Sequence, residues 1–182
     1  VFLGFAKTVP IHSKTGLSLP RVEDNAVVGM LRDGMSNDEY FLIENRYENE
    51  GASPRVVRTQ AYQAMLSGAT GHVIGNFPMW GFFSGWQSEL NSDGARTVQY
   101  LRSLFEARAW WTLQPDTNGT LMTSGIGAGH SQAVAARAAD RSFAIAYVPS
   151  LRTVTIDLTQ LSGPLVNARW LDPSNGVFTD AE

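Results

Sequence analysis

The hydrophobic pattern changes period several times along the chain. Tyr40-Phe41-Leu42-Ile43 is a short continuous apolar run that stops at Glu44, which suits a strand buried on both faces over 40–44. Upstream, residues 1–39 carry little pattern beyond a short strand expected at 26–31 between Asp-Asn and Asp-Gly turn signals. After the loop NRYENEGASP, Ser53-Pro54 reads as a helix N-cap with Pro at the first helical position. Val57, Ala61, Ala64 and Met65 then recur at helical spacing, predicting a helix over 54–67. His72-Val73-Ile74 predicts a second buried strand, followed by a Gly-rich aromatic loop. Ser92 caps a second helix whose stripe is Val98, Leu101, Leu104 and Phe105. Strand, loop, helix repeated twice is the signature of βα units in a parallel sheet or barrel.

Beyond Trp110-Trp111 the pattern becomes that of an all-β unit. LQPDTNGTLMTSGIGAGHSQ is dense in turn residues. AVAARAA, SFAIAYV, TVTIDL, LVNARWLD and GVFTD follow as short strands separated by turn signals, a spacing typical of a β-sandwich. Propensity alone would make the run Ala133 to Ala139 helical, but its place in the series favours strand. A boundary near 112–120 is expected, giving an unassigned segment 1–39, an α/β part 40–111 and a β part 112–182.

Composition narrows the function classes. Among 182 residues, 43% are hydrophobic and 17% charged, with net charge -3 and an isoelectric point near 5.6. These values suggest no basic surface for nucleic acid. No apolar run approaches the roughly 18 residues of a membrane span, and the opening VFLGFAKTVPIHSKTG is too short in its apolar part for a secretory signal core. The chain has no cysteine, which removes disulfides and thiolate metal sites without fixing a compartment.

The candidate chemistry lies at strand ends. In a β/α barrel the active site occupies the carboxyl ends of the strands, so Glu44 is placed to meet substrate, the plain alternative being a solvated loop charge. Glu48 and Glu50 lie deeper in the loop, where either could pair with Arg46 or Arg55. Tyr47 could donate its hydroxyl to a carboxylate. His72 and Asn76 are four apart and, by strand alternation, share one side of the second strand. His12 and His130 have no partner at ligand spacing, so no metal site is suggested. Trp80, Phe82, Phe83 and Trp86 crowd one loop, as a platform for the apolar faces of sugar rings or as a plug between the two parts, and Trp110-Trp111 favours the plug. Asn118-Gly119-Thr120 matches the glycosylation acceptor pattern.

The series FLIENRYENE, RTQAYQAMLSGATGHVIGNFPMWGF, WQSELNSDGARTVQYLRSLFEARAWWTLQPD, FAIAYVPS and ARWLDPSNGVF resembles the apiosidase-like glycoside hydrolases of bacteria over residues 40–179. Those proteins join a (β/α)8 barrel to a small antiparallel β-sandwich, also labelled a "putative collagen-binding domain". The resemblance implies an α/β plus all-β fold: the last two βα units of a TIM-type barrel and most of the sandwich, incomplete at both ends. A whole barrel takes roughly 250 residues, so the chain alone is expected to be inactive.

In that family a Glu, two residues, then Tyr-Glu follows a late barrel strand. Its first Glu looks like one of two catalytic carboxylates, which by position is Glu44, with Tyr47 and Glu48 in support. Spacing leaves Glu44 and Glu48 open, and strand-end geometry selects Glu44. The last-strand segment with Gly71, His72, Gly75 and Trp80 helps to wall the site, making His72, Asn76, Trp80 and Trp86 the substrate-binding candidates. The implied chemistry is glycoside hydrolysis of a plant-type polysaccharide or oligosaccharide by two carboxyl groups, without a cofactor. Nucleic acid and membrane are not implied as partners, and the parent would be secreted or periplasmic, its signal lying outside this chain. Two other readings compete: a non-catalytic carbohydrate- or matrix-binding module, and a piece of a secreted metallopeptidase. The latter rests on the similarity of DEYFLIENR to a segment of peptidases related to immune inhibitor A, without a His-Glu-x-x-His motif.

Overall fold

A computed structural model describes residues 42–44 and 47–181. The strand expected at 26–31, the start of the one expected at 40–44, and Arg46 lie outside the described residues. Strand β1 (Leu42–Glu44) pairs in parallel with β2 (Gly71–Val73) in the register Leu42 to Gly71, Ile43 to His72, Glu44 to Val73. Helix α1 (Pro54–Leu66) connects them. Its start follows the sequence signal, since the Ser53 hydroxyl accepts the Val56 N–H at 3.3 Å and Pro54 occupies the first turn, where no amide donor is needed.

Helix α1 is buried along most of its second half, Ala61 through Leu66 without a break, because it is packed on two sides. One side meets α3 (Asp93–Glu106), whose predicted stripe of Val98, Leu101, Leu104 and Phe105 is buried. The other side meets an antiparallel sheet in the order β3-β5-β6, formed by β3 (Leu113–Pro115), β5 (Val134–Ala138) and β6 (Ala144–Tyr147). Val57, Tyr62, Leu101 and Phe105 therefore share one core with Val134, Ala136, Ile145 and Tyr147. That core crosses the stretch 112–120 where the sequence pattern changes.

The Ala-rich run is strand, as its place in the series predicts. Successive side chains of a strand point to opposite faces. Val134 and Ala136 enter the core with α1, whereas Ala133 and Ala135 join Leu121 and Met122 in a second cluster backed by Ile126 and Ile156. Small residues on both faces let a helix and a second sheet approach together, and this outweighs alanine's low strand propensity. The second sheet pairs β4 (Met122–Ser124) with β7 (Thr155–Ile156). A separate hairpin joins β8 (Arg169–Leu171) to β9 (Phe178–Asp180).

The described residues thus form a mixed α/β region followed by small antiparallel sheets, with no closed barrel among them. Strands β3 and β4 fall inside the stretch that reads as turns, because the turn residues around each mask three-residue strands. Asp116 organises the turn between them, its carboxylate accepting the N–H groups of Thr120, Leu121 and Met122 at 2.8, 3.0 and 2.7 Å.

Candidate functional site

Because β1 and β2 are parallel and in register, their carboxyl ends are level, and the loops that leave them meet. Glu44 is the last residue of β1. Tyr47 follows in extended conformation, and its carbonyl accepts the N–H groups of Glu50 and Ala52 at 3.2 and 3.1 Å, closing the short 3-10 turn Glu48–Glu50. Among the described residues no ion pair joins Glu48 to Arg55, and Arg46 lies outside them. Arg55 donates to the Pro149 carbonyl at 2.7 Å. The Glu48 carboxylate instead accepts the Gly94 N–H at 2.8 Å and the Ser92 hydroxyl, while that hydroxyl accepts the Ala95 N–H at 3.2 Å.

The first turn of α3 explains the difference. Its amide donors have no partner within the helix, and the helix dipole favours an anion there. A carboxylate accepting two hydrogen bonds at that end needs no cation. Glycine at 94 leaves room for this approach: a Cβ there would lie 2.6 Å from the Glu48 carboxyl carbon, so the carboxylate would have to shift.

Asn76 ties the two strand ends together. Its side chain is wholly buried and uses both polar groups. Oδ1 accepts the Glu48 N–H at 2.8 Å, and Nδ2 donates to Glu89 Oε2 at 3.1 Å. Strand β2 ends at Val73, so the alternation that would put His72 and Asn76 on one side does not extend to Asn76. His72 is also fully buried, with neither ring nitrogen partnered among the described residues. Burial without a compensating charge pushes its pKa down to about 4, so the imidazole is neutral at neutral pH.

Glu89 is a residue that the sequence reading passes over. It lies outside the strand-end motif, in the single helical turn α2 (Trp86–Glu89), and only the fold brings it to Asn76. The faint signal is its spacing from Trp86, three positions along a helical turn.

The aromatic loop divides by exposure. Phe77, Phe82 and Phe83 are 50%, 63% and 47% exposed and Trp86 is half-buried. Phe82 meets Trp86 edge to face at 5.1 Å, and Phe77 lies 5.8 Å from Phe83. Among the described residues none of these rings packs into the core shared by the helices and the antiparallel sheet. Trp80 lies in the 3-10 turn Met79–Gly81. Trp110 does pack toward the core, 6.4 Å from Phe105, whereas Trp111 is 63% exposed. Among the described residues no group of three or more His, Asp or Glu side chains is arranged to hold a metal ion, and no helix is long and apolar enough to cross a membrane.

Residues 35–112 match the family described as "Apiosidase-like, catalytic domain", and residues 115–182 match the "Putative collagen-binding domain of a collagenase". Among curated proteins none matches the chain. In fold it is similar to a glycoside hydrolase family 5 protein from Bacteroides vulgatus, with TM-score 0.63 and 23% identity over 71% of this chain and 30% of that one. A second structure, described as a glycoside hydrolase, gives TM-score 0.64 and 22% identity over 78% and 34%. The chain spans about a third of the length of these solved structures.

Two outcomes follow from the geometry. Alanine is ordinarily the better helix former by about 0.8–1 kcal/mol, yet Gly94→Ala should destabilise the protein by about 1–2 kcal/mol, because it displaces a charged hydrogen-bond acceptor. Chemical denaturation measures this, and a stabilised variant would refute the tie. The second concerns His72. Below its ordinary pKa of 6.5 the unfolded imidazole takes up a proton that the folded one refuses until about pH 4. Stability should therefore fall by up to about 3 kcal/mol as pH drops through that window. The titration curve of His72→Gln should be flatter there; an identical slope would show that His72 does not carry the effect.

Proposed function

We propose, for a chain whose residues 35–112 belong to the apiosidase-like catalytic domain family and whose residues 115–182 belong to the collagen-binding domain family, that it is part of a secreted or periplasmic glycoside hydrolase. In this reading β1, α1, β2 and α3 are the last two βα units of a (β/α)8 barrel, and residues 112–182 are its β-sandwich. Supporting it are the parallel order of β1 and β2 and the fold similarity to glycoside hydrolases three times as long. The substrate is a plant-type polysaccharide or oligosaccharide.

One observation carries the assignment of roles. The Glu48 carboxylate is committed to the α3 terminus, where the Ser92 hydroxyl and the Gly94 N–H occupy it. Glu44, the last residue of β1, is then the catalytic carboxylate of the Glu-x-x-Tyr-Glu stretch. It acts with a second carboxyl group supplied by another strand end of the full-length enzyme. One protonates the departing glycosidic oxygen, and the other attacks the anomeric carbon or activates water. Tyr47 and Glu48 fix the loop that follows Glu44. His72, neutral and buried, walls the site without adding a charge to it. Trp80 and Trp86 supply apolar faces for sugar rings, and Asn76 holds the loops that frame them.

The test is substitution in the full-length enzyme acting on branched pectin oligosaccharides. Glu44→Gln should lower kcat at least about a hundredfold with little change in thermal midpoint. Glu48→Gln should lower the midpoint and leave most of the residual activity. If Glu48→Gln were the inactivating change at unchanged stability, the two roles would be reversed.

A further inference from the structure

We infer that Glu89 and Trp86 form a saccharide subsite that selects a neutral sugar ring over a uronate. This inference rests on reading the carboxyl end of β1 and β2 as a sugar-binding mouth, and it deepens that reading by naming the class of ring taken.

Trp86 and Glu89 lie three residues apart in α2, so they share one face of a single helical turn. The turn is fixed at both ends. At its start, Gly85 has φ of 85° and its carbonyl accepts the Ser88 hydroxyl at 2.7 Å. At its end the Glu89 carboxylate is held by Asn76, whose burial and second hydrogen bond to the Glu48 N–H leave its amide a single orientation.

Glu89 accepts from a neutral amide, and no lysine or arginine pairs with it among the described residues. An ionised carboxylate is an acceptor only, and its remaining lone pairs suit the hydroxyl donors of a sugar. Phe82 stands edge-on to Trp86 at 5.1 Å and is largely exposed, so an aromatic surface for C–H stacking lies on the same helical turn that carries the hydroxyl acceptor. The same carboxylate repels another carboxylate brought within a few ångströms, where like charges in a partly desolvated site disfavour binding. Within a branched polysaccharide that mixes neutral and acidic sugars, this subsite takes the neutral branch.

Binding to the full chain tests this without requiring turnover, so it is read independently of the role given to Glu44. The probes are galactotriose and trigalacturonate, followed by tryptophan fluorescence and by ligand-observed NMR. The native chain should bind galactotriose at least about tenfold more tightly, a difference of roughly 1.4 kcal/mol. Glu89→Gln still offers Asn76 an acceptor and should keep its thermal midpoint, while weakening galactotriose and strengthening trigalacturonate until the preference is lost. Trp86→Ala should weaken both. The subsite is overturned if the native chain binds neither probe, if it prefers trigalacturonate, or if Glu89→Gln leaves the ratio unchanged. Hydrolysis by the full-length enzyme together with any of these results would leave the proposed function standing and remove only the subsite.

Discussion

Helix α1 is the element on which the rest of the arrangement depends, because it is packed on both sides. Val57, Ala61 and Leu66 are almost wholly buried. A helix covered in this way contributes through packing rather than propensity. Tyr62 stacks on Tyr147 of β6 with ring centres 4.5 Å apart and planes 12° from parallel. Beside that pair the Thr59 and Tyr147 hydroxyls share a hydrogen bond of 2.9 Å, and Gln63 Nε2 donates to the Gln132 carbonyl at 2.8 Å. Apolar contact supplies most of the attraction, and the polar bonds set the register, since an unpaired buried group would cost about 1–3 kcal/mol. The two family segments therefore meet across a core, although each matches a different family.

From that seat the carboxyl end of β1 and β2 is built by a few polar ties rather than by apolar packing. Glu48 couples the loop after β1 to the first turn of α3, and Asn76 couples the same loop to the end of β2 and to α2. Such ties hold loops that have little core of their own, and they spend carboxylates and amides to do so. Carboxylates that look equivalent in FLIENRYENE are thus separated by their surroundings. The helix terminus takes Glu48, and Glu44 is left at the strand end. Glu50 closes the 3-10 turn and is exposed.

Local signals in the sequence were the ones that carried through. Ser53-Pro54 and Ser92 start helices by satisfying amides within three residues, so their effect is legible in a short window. The stripe from Val98 to Phe105 and the short apolar runs of β1 and β2 are equally local. Hidden from the sequence were features settled by distant residues. Nothing near Glu48 announces that its partners are Ser92 and Gly94, and nothing near Glu89 announces Asn76. The short strands β3 and β4 exist because β5 and β7 pair with them, against turn-rich local composition. The exposure of Phe77, Phe82 and Phe83 likewise depends on which surfaces the loop fails to meet. The likeness to apiosidase-like hydrolases was legible because its motifs are ordered along the chain.

The claim that α1 joins both segments into one cooperative unit can be read from native-state amide hydrogen exchange. If the core is shared, the slowest amides of α1 at Ala61 to Met65, of α3 at Leu101 to Phe105 and of β5 at Ala135 to Arg137 should exchange with one common opening free energy. They should also respond to denaturant with one common slope. Exchange of the β5 amides through a separate opening of lower free energy and shallower slope, with α1 and α3 still protected, would contradict the account.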